Sequence, residues 1–202
     1  MTLSVLNRPA DLGSLIGSRI CHDLISPIGA INNGLELLAM SGGAEGPEIG
    51  LIGESVSSAS ARIRFFRVAF GAAGDQMVGS AEVVAILRDL YATSRLDIDW
   101  QIGAAQPRSH VRISFLAILC LETAMPYGGT LTVQEDKRGW LLTGTADRIN
   151  AAPELWSVLA GVLSNNGLQP SHVQFALLPV VAQEHDCKVV SRFEDRRIEM
   201  RF

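Results

Sequence analysis

Basic side chains are in short supply: 17 Lys and Arg stand against 21 Asp and Glu, for a net charge of −4 over 202 residues. No block of lysine or arginine is present to neutralise a run of phosphates, so nucleic acid is not an expected partner. Cysteine is equally sparse. Cys21, Cys120 and Cys187 are odd in number, far apart and without a C-x-x-C pair, which argues against a disulfide framework or a zinc cluster and for reduced thiols in the cytoplasm. The longest apolar run, Phe115 to Leu121, is far shorter than the roughly 20 residues a bilayer span needs. The first residues, MTLSVLNRPADLG, lack a basic start followed by an apolar signal core. Neither membrane insertion nor secretion is expected, and the expected location is cytoplasmic.

What is present is apolar periodicity, in a chain that is 48% hydrophobic. Leu12, Ile16, Ile20, Leu24, Ile28, Ile31, Leu35 and Leu38 recur at steps of four and three, with Asp11 placed to cap the start, which predicts one long amphipathic helix. The glycine-rich stretch SGGAEGPE breaks it. Ile49, Ile52, Val56, Ala59, Ile63, Phe66 and Phe70 then alternate steps of three and four, predicting a second helix and an antiparallel hairpin. A hairpin cannot enclose its own apolar stripes. The economical completion is a second copy, so residues 1–76 are expected to form a four-helix bundle by homodimerisation.

From residue 77 to 202 the pattern mixes. Ser80 is placed to cap a helix running to about Arg95, LDIDWQI alternates as a strand, and VRISFLAILCLETAM reads as an apolar helix stopped by Pro126 and Gly128-Gly129. TLTVQED and GWLLTGTA predict strands around the DKRG turn. A helix opening at Pro153, the loop SNNGLQPS, a helix from His172 to about Glu184, and a hairpin around Glu194-Asp195 complete the chain. The expected class is α+β, with helices on one face of a mixed sheet.

One histidine stands out. His22 falls on the face opposite the apolar stripe, at helical spacing from Ser18, Ser26, Gly29, Asn33 and Glu36. Small neighbours allow another protein close to the ring. Pro27 lacks an N–H, so the Asp23 carbonyl loses its helical donor and a bend is expected just after His22. Cys21 reads as core, and no metal site is expected at His22, which lacks partners at ligand spacing. Asp23 can reach the ring only through favourable rotamers.

HDLISPIGAINNGLELL, from His22 to Leu38, resembles the phosphoacceptor box of bacterial sensor histidine kinases, roughly H-[ED]-L-x-[NTS]-P, with His22, Asp23, Leu24, Ser26 and Pro27 all in place. Residues 77–202 resemble the ATPase-like (Bergerat-type) sandwich that follows in those kinases, with departures. Cys120 fills the position of the asparagine that would hold magnesium. Asp147 starts a nucleotide box without its glycines, and His172 to Phe175 replace the glycines of a later one. Thiols and bulky side chains do not supply the close backbone approach and hard oxygen ligand that nucleotide and magnesium need.

A phosphoacceptor hairpin joined to a nucleotide-incompetent kinase-like domain is similar to the ChpT-like family of dimeric histidine phosphotransferases. The resemblance implies that His22 accepts a phosphoryl group on Nε2 from the receiver-domain aspartate of a hybrid histidine kinase and passes it to a response-regulator aspartate. It implies that Asp23 sets the ring's protonation and that Ser26 lies beside the phosphoryl group. No cofactor is expected on this chain, and magnesium belongs to the receiver's acidic pocket. Ser18, Gly29, Asn33, Arg64 and Arg67 are the expected docking residues. Two rivals remain at this stage: an ATP-using histidine kinase, and a non-catalytic dimeric adaptor that docks response regulators.

Overall fold

A computed structural model describes residues 9–41, 47–72, 74, 76–163 and 167–202. Helix α1 (Pro9–Ser41) and helix α2 (Pro47–Ala69) are packed together along their lengths. The SGGAEGPE connection lies mostly outside the described residues. Helix α1 is continuous through Pro27, whose ring is buried.

The rest is a five-stranded mixed sheet with helices packed on it. The strands are β2 (Leu96–Trp100), β4 (Gly129–Asp136), β5 (Gly139–Thr145), β6 (Val190–Glu194) and β7 (Arg197–Arg201), in the order β2-β4-β5-β7-β6. Only the β2–β4 pair is parallel. A parallel neighbour needs a crossover, and helix α4 (Arg108–Ala124) supplies it. This helix packs against α2, against β5 and against helix α6 (Val173–Glu184). Being covered on several sides, it reads as a near-continuous apolar run and not as an amphipathic stripe. Where it hands over to β4, the chain turns through Gly128 at φ 95° and Gly129 at φ 147°. A Cβ at either would lie 2.3 Å from a backbone oxygen, that of Arg95 or of Thr145, so only glycine fits this return.

Several sequence expectations need correction. Ser80 is not a cap. It is the first residue of helix α3 (Ser80–Tyr91), Gly79 takes the N-cap position, and no side chain caps the end. The helix also stops at Tyr91, short of Arg95. A two-stranded antiparallel ladder, β1 (Met77–Val78) with β3 (Gln106–Pro107), was not legible, because two residues are too short to show a period. The helix opening at Pro153, α5 (Pro153–Leu159), is shorter than its apolar pattern, and the last hairpin turns at Asp195-Arg196, one residue later than read.

The main core crosses from the hairpin into the sandwich. Phe65, Phe66, Val68 and Ala69 of α2 join the buried residues of α3, α4, α6 and the sheet, with Ile16 and Ile20 of α1 packed against them. Leu12 joins Val173 and Ala176 in a satellite cluster. Covered in this way at one end, the hairpin's stripes are uncovered farther along: Ile28, Leu35, Ile49, Val56 and Ile63 are about half exposed. Among the described residues, no helix is long and apolar enough to cross a membrane.

Candidate functional site

His22 projects from α1 with 80% of its side chain exposed, while Asp23, one residue and about 100° round the helix, is turned inward and 10% exposed. The two nevertheless meet: His22 Nδ1 lies 3.1 Å from Asp23 Oδ1. A carboxylate only accepts, so Nδ1 is the nitrogen that donates, and in the neutral ring this leaves the lone pair on Nε2. Ser18, Ser26 and Asn33 are exposed on the same face and Gly29 is partly so, which leaves the approach to Nε2 open.

Asp23 is itself held. Arg19, one turn earlier on α1, donates from Nε to Asp23 Oδ2 at 2.7 Å, and its Nη1 donates to the backbone carbonyl of Ser171. Ser171 belongs to the short 3₁₀ turn Pro170–His172 that leads into α6. The carboxylate beside the histidine is thus tied to the sandwich.

Below this chain of contacts lies a polar cleft of about 280 Å³, lined in part by Arg19, Asp23, Arg62, Tyr91 and Glu122. Tyr91, buried, donates its hydroxyl to Glu122 Oε2 at 3.1 Å. Burial pushes the Glu122 carboxyl above its usual range, and the Tyr91 hydroxyl, Arg19 and Arg62 pull partly the other way. Tyr91 is pushed well up, first by burial and then by Glu122. Arg62 Nε is buried without a hydrogen-bond partner. A larger cleft of about 710 Å³ runs past Ser26, Pro27, Arg62 and Arg64 to α3. There Arg64 pairs with Asp89 at 2.8 Å, and the Arg64 guanidinium, followed by that of Arg88, holds the Asp89 carboxyl below its usual range. Arg67 is exposed, and its backbone carbonyl accepts from Arg108 at 2.7 Å.

The structure brings His22 and Asp23 into contact and sets Ser26 one turn on. It corrects one reading. Cys21 is exposed, not core. Cys120 is fully buried, its thiol pushed well up by desolvation. His172 to Phe175 lie where the resemblance puts the kinases' glycine box. Val173, Gln174 and Phe175 are buried there, and Gln174 Nε2 donates to Thr123 Oγ1 at 3.0 Å. Sequence reasoning missed Arg19, Tyr91, Glu122 and Ser171. Two signals were available: Arg19 and Asp23 at the i, i+4 spacing of an ion pair, and Glu122 as a lone acid in an apolar helix.

Residues 80–197 match the family model of the histidine phosphotransferase C-terminal domain. The chain is 36% identical over 200 residues to the protein phosphotransferase ChpT of Brucella abortus (strain 2308), covering 94% of this chain and 93% of that one. It is also similar to the solved structure of a bacterial phosphotransferase, with a TM-score of 0.81 and 30% identity over 98% of both chains.

Proposed function

Given that the chain belongs to the histidine phosphotransferase family, we propose that it relays phosphoryl groups through His22, from an aspartyl-phosphate of a receiver domain to the aspartate of a response regulator. The observation that supports this reading is the His22–Asp23 contact, which pairs Nδ1 with a carboxylate and so, in the neutral ring, leaves Nε2 as the nucleophile on an exposed face of small residues. In the first transfer the Nε2 lone pair attacks phosphorus, the bond from phosphorus to the aspartyl oxygen breaks, and the carboxylate leaves with the electron pair. The second transfer is the reverse, onto another protein's aspartate. Positive charge on the phosphorylated ring is offset by the Asp23 carboxylate at Nδ1. Ser26 lies beside the phosphoryl group, and Ser18, Gly29, Asn33, Arg64 and Arg67 form the docking face. Arg64 already holds Asp89, so its contribution there is shared.

The acceptor does not draw on ATP in this reading. Buried side chains at Val173, Gln174 and Phe175, where the kinases' glycines would let backbone approach phosphate, support that assignment. Magnesium is assigned to the receiver's acidic pocket. The half-exposed stripe of Ile28, Leu35, Ile49, Val56 and Ile63 supports a homodimer whose second copy completes a four-helix bundle.

The test mixes the protein with a receiver domain carrying labelled phosphate, without ATP, and follows acid-labile, base-stable label. Wild type should be labelled and then discharged by a second receiver, and His22→Ala should remain blank. Label persisting on His22→Ala would sink the acceptor assignment, and self-labelling from ATP alone would replace it with a kinase.

A further inference from the structure

We propose that Arg19 is a positioning residue for this transfer: by gripping the Asp23 carboxylate and the Ser171 carbonyl at once, it holds His22 in the Nδ1–H tautomer and ties the ring's orientation to the seating of the sandwich on α1. The proposal rests on the reading of His22 as the phosphoacceptor and extends it to what holds that acceptor.

Asp23 cannot do this alone. Adjacent helical residues diverge, and an unrestrained aspartate has several rotamers, only some of which bring an oxygen to the ring. The 2.7 Å charge-assisted bond from Arg19 Nε takes Oδ2 and sets the carboxylate plane, which leaves Oδ1 as the acceptor for Nδ1–H. An ordinary i, i+4 pair on a helix surface is exposed and contributes little. This one is not ordinary: the Arg19 and Asp23 side chains are 17% and 10% exposed, so solvent screens them less.

The second grip is long-range. Arg19 Nη1 donates to the carbonyl of Ser171, 152 residues later in the chain, in the turn before α6. A planar guanidinium can serve a carboxylate on one edge and a carbonyl on another, which the single ammonium of lysine cannot do in the same geometry. Displacing the Pro170–His172 turn would therefore release Arg19, then Asp23, then the ring.

The experiment uses the full chain in three forms, wild type, Arg19→Ala and Arg19→Lys, with folding checked by circular dichroism and thermal denaturation. Ring-nitrogen NMR at about pH 8, above the usual imidazole titration, reads the tautomer of His22, its signal assigned by its loss in His22→Ala. Wild type should show the Nδ1–H tautomer and Arg19→Ala a mixture. In single-turnover transfer from a phosphorylated receiver, Arg19→Ala should be slower by about tenfold or more, the scale on which a misplaced reacting group costs rate. Arg19→Lys should recover part of the tautomer preference and little of the rate. A wild-type tautomer and rate in Arg19→Ala would overturn the proposal; should that variant not fold, a full wild-type rate in Arg19→Lys would overturn the double grip. Label on His22→Ala would remove the acceptor reading instead, while the tautomer comparison would still judge Arg19's hold on the ring.

Discussion

Phe65 of α2 and Phe115 of α4 lie ring on ring, their centroids 4.5 Å apart and their planes within 6°. Both are fully buried, so the hairpin that carries His22 and the sandwich that carries Ser171 share one core. The contact between Arg19 and Ser171 is possible because this core, with Ile16 and Ile20 packed against it, fixes where α1 sits. Phe65→Ala should cost about 3–5 kcal/mol in urea unfolding, the usual range for losing a buried aromatic. Phosphotransfer should fall in step, through the loosened seat of α1. Unchanged stability would show that the two parts are held by other contacts.

Tyr91 and Glu122 give a pH dependence with a definite sign. Burial raises the folded-state pKa of Glu122 above its ordinary 4.5, so its contribution to stability is complete below that value and is lost as pH rises through the raised one. Glu122→Gln stays neutral and still accepts the Tyr91 hydroxyl. It should therefore gain on wild type between about pH 4 and about pH 7, and be the more stable protein at the upper end. Unfolding midpoints at the two pH values check this, and a difference that does not change with pH would contradict it. Tyr91→Phe removes the carboxyl's donor and should cost about 1–3 kcal/mol at neutral pH.

The three thiols should separate by reactivity. Cys21 is exposed, Cys187 is half-buried with its thiol raised by desolvation and by Asp186, and Cys120 is fully buried and raised well above its usual value. Since the thiolate is the nucleophile, a limiting maleimide should modify Cys21 first and Cys120 only on unfolding, as read by peptide mass spectrometry. A bulky adduct on Cys21, next to His22, should also block transfer while leaving thermal stability unchanged. Full transfer by the Cys21 adduct would show that the receiver approaches from another side.

The helices and the exposed face of His22 were legible because a helix writes its geometry into local spacing: steps of three and four place the stripe, and everything else follows round the axis. Residue type misleads at Cys21, an apolar-looking thiol that the helix turns out to solvent. The Ser171 contact was not legible at all. Its partner lies 152 residues away, and no periodic pattern encodes which turn of a distant segment will come to rest beside a helix. The Arg19–Asp23 half of the same arrangement was local, and the i, i+4 spacing was there to be read.

The uncovered stripe supplies the last prediction. Ile28 and Leu35 of α1, and Ile49, Val56 and Ile63 of α2, sit seven residues apart within each helix, each about half exposed. Full burial of such a side chain is worth about 1.5–3 kcal/mol, so completing the cover on five of them should contribute roughly 1 kcal/mol apiece in each copy. That is enough to hold two hairpins together once the loss of rotational and translational freedom is set against it, because a symmetric contact counts every side chain twice. Wild type should therefore run as a dimer in size-exclusion chromatography with light scattering. Ile63→Glu, which places a charge inside the proposed seam without touching the core around Phe65, should shift it to monomer at micromolar concentration. Ile63→Ala, which removes area but adds no charge, should dimerise more weakly than wild type and remain folded. A wild-type monomer throughout the accessible concentration range would mean that the stripe is covered by some other partner and that His22 works from a single hairpin.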